Sequence, residues 1–135
     1  MRNVALALVL SVASGVASAA ACSNPHEIAY EPKVVELSGK VSVARARHPN
    51  GALMEYPVMH LTRPVSVRAD AADLINQDES CVPEVQLTSN AEAVRRVLYA
   101  ASGRRVLVRG TVFHSHTAWH MRPLVVIVTE ARVEP

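Results

Sequence analysis

Arg105-Val-Leu-Val-Arg-Gly-Thr-Val-Phe-His-Ser-His-Thr-Ala-Trp-His-Met-Arg-Pro-Leu-Val-Val-Ile-Val-Thr-Glu-Ala-Arg-Val133 decides the fold. Two alternating apolar runs, Arg105 to His116 and Leu124 to Val133, flank a loop centred near residue 119 or 120. That is the pattern of an antiparallel hairpin. Setting Val106 opposite Val133 also sets Val108 opposite Ala131 and Val112 opposite Ile127, all on one face. The other face then pairs Arg109 with Glu130, a favourable cross-strand contact. A slip of one residue would turn Glu130 and Arg132 onto the valine face, and burying those charges is costly. In this register His114 and His116 extend the buried valine face, with His114 capping the end of the core and His116 at its mouth.

Working outward, Val34 to Ala44 alternates as a half-buried strand, with Val35, Leu37, Gly39, Val41 and Val43 on one face. Gly39 in its middle marks a bend or bulge. His48-Pro-Asn-Gly51 is a turn. Tyr56 to Leu61 reads as a second strand, continued or resumed at Val65 to Val67 after Arg63-Pro64. Residues 69–81 are acidic and irregular, without the spacing or central glycine of an EF-hand calcium loop. Val82 to Leu87 is a third strand. Ser89-Asn-Ala-Glu92 has the form of a capping box, Val94, Val97, Leu98 and Ala101 follow at helical spacing, and Gly103 closes the helix. Arg95, Arg96, Arg104 and Arg105 give that helix and its exit a basic, solvated face. Three strands, a helix and two strands predict an all-β fold with one helix. The expected form is a small OB-fold-like five-stranded barrel, the helix lying between strands 3 and 4. Gly39 and Gly110 would let the long strands curve.

The N-terminus reads differently. Arg2, the apolar run Val4 to Val12 and Ala17-Ser-Ala19 form a secretory signal peptide over residues 1–20. The run is short for the ~20 apolar residues of a membrane span. Residues 21–33, with Pro25 and Pro32, form an irregular lead-in, and 34–135 a single barrel domain. Cys22 after three alanines admits a lipoprotein reading, disfavoured by the missing large aliphatic residue three positions earlier. Export leaves two cysteines, Cys22 and Cys81, which an oxidising compartment allows to pair. The formal charge of +2 falls to near +1 without Arg2, which gives no argument for nucleic acid. No later segment is long and apolar enough to span a membrane. With one Phe and one Trp, the core must come from Val, Leu, Ile and Ala.

Leu37-Ser-Gly-Lys-Val41, Gly103-Arg-Arg-Val-Leu-Val-Arg-Gly-Thr-Val-Phe-His-Ser-His-Thr117 and Leu124-Val-Val-Ile-Val resemble a bacterial exported family, domain of unknown function 4431. The early cysteine and Tyr30-Glu-Pro32 are similar too, so the resemblance runs over roughly residues 22 to 133. It implies an exported small β-barrel and supplies no activity. The family's turn carries consecutive histidines. At the matching Trp119, His120 and Met121 only His120 keeps an imidazole. The family's second cysteine follows the proline of the second strand, where this chain has Pro64-Val-Ser-Val67, and Cys81 stands in from the next loop.

Three of the six histidines, His114, His116 and His120, fall within the hairpin loop and its approach. A loop between the last two strands serves as a ligand rim in OB-type barrels, and this one presents His114, His116, Thr117, Trp119, His120 and Arg122. Trp119 offers a stacking surface. The expected function is an exported binding or interaction module whose ligand or envelope partner meets this loop. The alternative is a zinc or copper site built from His114, His116 and His120 with an open fourth position. No carboxylate is near in sequence, and Arg122 is an unfavourable neighbour for a cation. No nucleophile elbow, glycine-rich phosphate loop or paired carboxylate accompanies the histidines, so an enzyme is not expected.

Overall fold

Alternation drives the first long strand inward at Val35, Leu37 and Val41, and outward at Glu36 and Lys40. The computed structural model describes residues 22–135, and the segment expected to be a signal peptide lies outside them. The elements are β1 (His26–Ile28), β2 (Val34–Arg47), β3 (Leu53–Val67), β4 (Glu79–Thr88), α1 (Glu92–Ala100), β5 (Arg105–His114) and β6 (Leu124–Val133). They form one six-stranded mixed sheet, with the helix between β4 and β5. Five strands were expected. The sixth, β1, arises inside the lead-in, where His26–Ile28 pairs in parallel with Val65–Val67.

The pairings run in a ring: β2 with β3, β3 with β4, β4 with β6, β6 with β5, and β5 back to β2. All are antiparallel except the three-residue parallel seam joining Gln86–Thr88 of β4 to Val125–Ile127 of β6. β2 serves both neighbours by changing partner along its length. Its first half pairs with β5 and its second with β3, and Gly39 and Lys40 belong to both. A Cβ at Gly39 would lie 2.1 Å from the His60 carbonyl oxygen, so only glycine admits this crossing of backbones.

The interior is almost wholly aliphatic. Val35, Leu37, Val41, Met59, Val65, Val85, Leu87, Val106, Val108, Val112, Leu124, Val126 and Val128 are buried in it, with Leu98 of α1 and Ala101 at its C-terminal cap packed onto the same cluster. Tyr30 joins them, its hydroxyl donating to the Gln77 carbonyl. Burial pushes that hydroxyl up to about 12.

The last hairpin follows the expected register at Val106–Val133, Val108–Ala131 and Arg109–Glu130, then departs from it. A bulge between Arg109 and Gly110 sets Val112 opposite Val126, not Ile127. The apolar positions of β6 explain this. Leu124, Val126 and Val128 share one parity and Ala131 and Val133 the other, so one extra residue is needed to keep both groups inside. Gly110 faces the bulge, where a Cβ would stand 2.0 Å from the Ile127 carbonyl oxygen.

The capping box does not form. Ala91 is the N-cap, without a side-chain hydrogen bond. The Ser89 hydroxyl donates to the Val128 carbonyl and accepts from the Ala91 amide, while Glu92 pairs with Arg96. Ser89 therefore ties the helix entrance to β6. Val97, expected on the buried helix face, is exposed. Gly103 does end the helix with positive φ, and its amide donates to the Val41 carbonyl.

Cys22 and Cys81 form a disulfide, their Cα atoms 5.6 Å apart. With its sulfur so engaged, Cys22 offers no thiol for a lipid, which counts against the lipoprotein reading. Among the described residues no helix is long and apolar enough to cross a membrane.

Candidate functional site

A second, smaller apolar layer lies on the outside of the ring. Met54, Tyr56 and Val58 of β3, Gln86 of β4, Val125 of β6 and Phe113 of β5 are buried, yet their parity is opposite to that of the core residues beside them. Cross-strand neighbours run Val58 to Gln86, Gln86 to Val125, and Val125 to Phe113. The loop at 115–123 covers this patch.

Backbone and side-chain bonds fix the loop. Gln86 spends both ends of its amide on it: Nε2 donates 2.9 Å to the Trp119 carbonyl, and Oε1 accepts from the Met121 amide at 2.6 Å. Arg122 reaches down to Glu84 at 3.0 Å and to the Tyr56 hydroxyl at 3.0 Å. Burial works against the Arg122 charge, but the hydrogen bonds and charge of Glu84 and Tyr56 outweigh it and hold the guanidinium above its ordinary value. His120 Nδ1 accepts from the amides of His116 and Thr117. Its ring packs edge-on against Phe113 and His116. Partial burial, followed by the neighbouring His116, lowers its pKa, so the neutral ring that can accept at Nδ1 is favoured.

Of the three histidines expected as metal ligands, the rings of His116 and His120 are in contact but His114 does not join them. His114 does cap the end of the core, buried on the valine face. Its Nε2 lies 2.8 Å from Glu79 Oε1 and its Nδ1 3.1 Å from the Ser115 carbonyl. β5 ends at His114, so the two-residue alternation stops there. The exposed His116 ring packs edge-on against Phe113, on the outer face, rather than continuing the valine face. Among the described residues no group of three His, Cys, Asp or Glu side chains is placed to hold a metal ion.

Of the other expected contact residues, Arg122 is an internal strut. Thr117 and Trp119 are exposed. The Trp119 indole stacks on His48, ring centroids 4.0 Å apart and planes inclined by 27°. His48 belongs to the turn between β2 and β3, so the contact joins two hairpin loops distant in sequence. Trp119 remains 51% exposed. Beside it opens a groove of about 190 Å³, whose walls include Met54, Thr88, Arg95, Leu98 and Tyr99. Sequence reasoning missed Gln86, Tyr99 and the role of His48, and read Arg95 as part of a solvated basic helix face over an anion patch. Gln86 between Val85 and Leu87 looks like an ordinary outward strand residue, and His48 like turn composition. Only the folded loop gives them roles.

A ring of strands closed by a parallel β4–β6 seam, with one loop folded back over its outer face and carrying a half-exposed indole, defines a class of architecture rather than a reaction. Residues 84–132, from β4 through β6, match the family model described as Domain of unknown function (DUF4431). The resemblance seen in the Gly-Thr-Val-Phe-His-Ser-His-Thr segment thus holds over the part of the chain containing the loop. A search of curated proteins returned no match.

Proposed function

We propose that this chain is an exported binding module of OB-fold type, working in the periplasm or outside the cell, and contacting its ligand through the loops that meet at Trp119. The ring order β2-β3-β4-β6-β5, the parallel β4–β6 seam and the helix between β4 and β5 support the OB-type reading. In such barrels the loops after the first and fourth barrel strands border the binding face. Here those are the 48–52 turn and the 115–123 loop. The Cys22–Cys81 disulfide supports an oxidising compartment, as does the signal-like sequence of residues 1–20.

The observation that carries the binding reading is the His48–Trp119 stack. It spans the two loops, keeps half the indole in solvent, and rests on a loop that Gln86 and Arg122 hold in place. A preorganised aromatic surface binds at lower entropic cost than a mobile one. Trp119 is the single tryptophan, so its fluorescence reports this site alone. Titrating the mature protein with a panel of envelope-glycan fragments and short peptides should find one that shifts or quenches Trp119 emission and loses affinity in Trp119→Ala. A ligand that binds with unchanged affinity to that variant and perturbs neither loop would overturn the assignment.

A further inference from the structure

The groove beside Trp119 has a chemical character of its own. Two half-exposed aromatic rings border it, Trp119 from the β5–β6 loop and Tyr99 from α1, at 51% and 41% exposure. Each is anchored by a neighbour: the indole by His48 at 4.0 Å between ring centroids, the phenol by its hydroxyl donating 2.9 Å to the Glu55 carbonyl. Met54 and Leu98 contribute buried apolar surface. Arg95 and Thr88 supply the polar rim.

Arg95 is the only lining cation. Its Nη1 donates 2.7 Å to the Ser89 carbonyl, and no carboxylate pairs with it among the described residues. A guanidinium has five N–H donors, so most of its fork is left for a ligand. The single acidic lining residue, Glu55, is bound to Arg45 at 2.9 Å. The groove therefore presents one uncompensated positive charge, enough for one carboxylate and too little for a polyphosphate. Its volume of about 190 Å³ is below the ~300–1,000 Å³ typical of sites that enclose a drug-sized ligand. It suits one ring of a longer molecule.

Resting on the reading of these loops as the ligand face, we infer that the groove is a subsite for a single sugar ring bearing one carboxylate, a hexuronate unit of an acidic glycan. The C–H face of the ring lies against the aromatic side chains, the carboxylate takes the free edge of the Arg95 fork, and a ring hydroxyl pairs with Thr88. Planar bidentate recognition makes arginine the fitting partner for a carboxylate. Aromatic residues give the apolar ring faces a stacking surface.

The test uses the disulfide-bonded mature chain, with a tetrasaccharide alternating glucuronate and N-acetylglucosamine as probe. The neutral tetramer of N-acetylglucosamine is the comparison. Nuclear magnetic resonance titration should move the Trp119 indole N–H and the amides around Arg95 and Tyr99 with the acidic probe. The neutral probe should bind about tenfold more weakly, as should Arg95→Gln with the acidic one, a factor of ten in Kd being the ordinary worth of one charge-assisted contact. Arg95→Lys keeps the charge without the fork and should fall between. Thermal unfolding of each variant guards against a fold defect at the helix entrance. Equal affinity for both probes, or an Arg95→Gln protein that binds as wild type, would overturn the uronate assignment while leaving Trp119 as a ligand contact. Absence of any shift in the groove with either probe at millimolar concentration also overturns the inference. The broader reading of the loops is judged separately, by the fluorescence panel.

Discussion

His114 Nε2 lies 2.8 Å from Glu79 Oε1, joining the end of β5 to the start of β4 at the rim of the core. The other ring nitrogen faces the Ser115 carbonyl, so acceptors stand at both. Each ring nitrogen of His114 thus has a hydrogen-bonding partner. The Asn76 side-chain carbonyl accepts from the His114 amide and holds the acidic loop against the same corner.

Removing one partner of this contact should cost stability. Glu79→Ala leaves a histidine whose side chain is only 11% exposed without its acceptor. An unsatisfied buried group costs about 1–3 kcal/mol. Urea unfolding of Glu79→Ala should show a loss in that range, and the double variant with His114→Ala should lose less than the sum of the two single changes.

Zinc or copper(II) added near neutral pH should leave the thermal midpoint unchanged. His114 is committed to Glu79 and Ser115, and His120 Nδ1 to two backbone amides. A metal-dependent rise abolished by both His116→Ala and His120→Ala would show that the loop rearranges to build the site.

Acidification should loosen the loop before the ring of strands. The His120 pKa is lowered first by burial and second by His116. Below its ordinary value of 6.5 the folded ring therefore binds fewer protons than the unfolded one. Its contribution is present above that pH and is lost as the pH falls through the lowered folded value. Protonation also removes the Nδ1 acceptor. Protection of the His116 and Thr117 amides, taken relative to the intrinsic exchange rate at each pH, should fall on going from pH 7 toward ~5, and Trp119 emission should shift with it. His120→Asn, which keeps a short side-chain acceptor, should flatten that dependence.

Reducing the Cys22–Cys81 bond should lower stability by about 2–4 kcal/mol, since the bridge closes a long loop in the unfolded chain. The bond spans 59 residues. Thiol titration of the denatured, unreduced protein should find neither cysteine free.

Alanine at either Gly39 or Gly110 should be more damaging than its size suggests. Each new Cβ would meet a backbone carbonyl oxygen, at 2.1 and 2.0 Å, and a backbone cannot step aside as a flexible side chain can. Costs at or above the ~1–3 kcal/mol of ordinary overpacking are expected in chemical denaturation. Alanine at Gly51 meets no such neighbour and suffers only from its positive φ.

Legibility in the sequence followed the range of the interactions. The last hairpin was readable because two runs near in sequence must place valines inward and Glu130 outward. Its bulge was readable in principle from the parity change between Val128 and Ala131, but a uniform register hides it. β1 was not readable. Three residues bounded by prolines make a strand only because Val65–Val67 offers them an edge. The site failed at Ser115. Alternation carried His116 onto the valine face, whereas the strand stops at His114 and the loop folds outward over Phe113. That folding depends on Gln86, Arg122 and Tyr56, partners with no local signature.

Among the strand margins the ring leaves open is one on β2. From Ser42 to Arg47, β2 pairs with β3 on one side only, its strand pairing with β5 having ended at Lys40. Unpaired strand margins invite a foreign strand to add, and proteins commonly guard them with charge. This one carries Arg45 and Arg47, with Glu55 opposite Arg45. Two copies meeting along it would bring like charges together. Replacing both arginines with threonine, which favours strands, would remove that repulsion and let two copies join edge to edge as a closed pair.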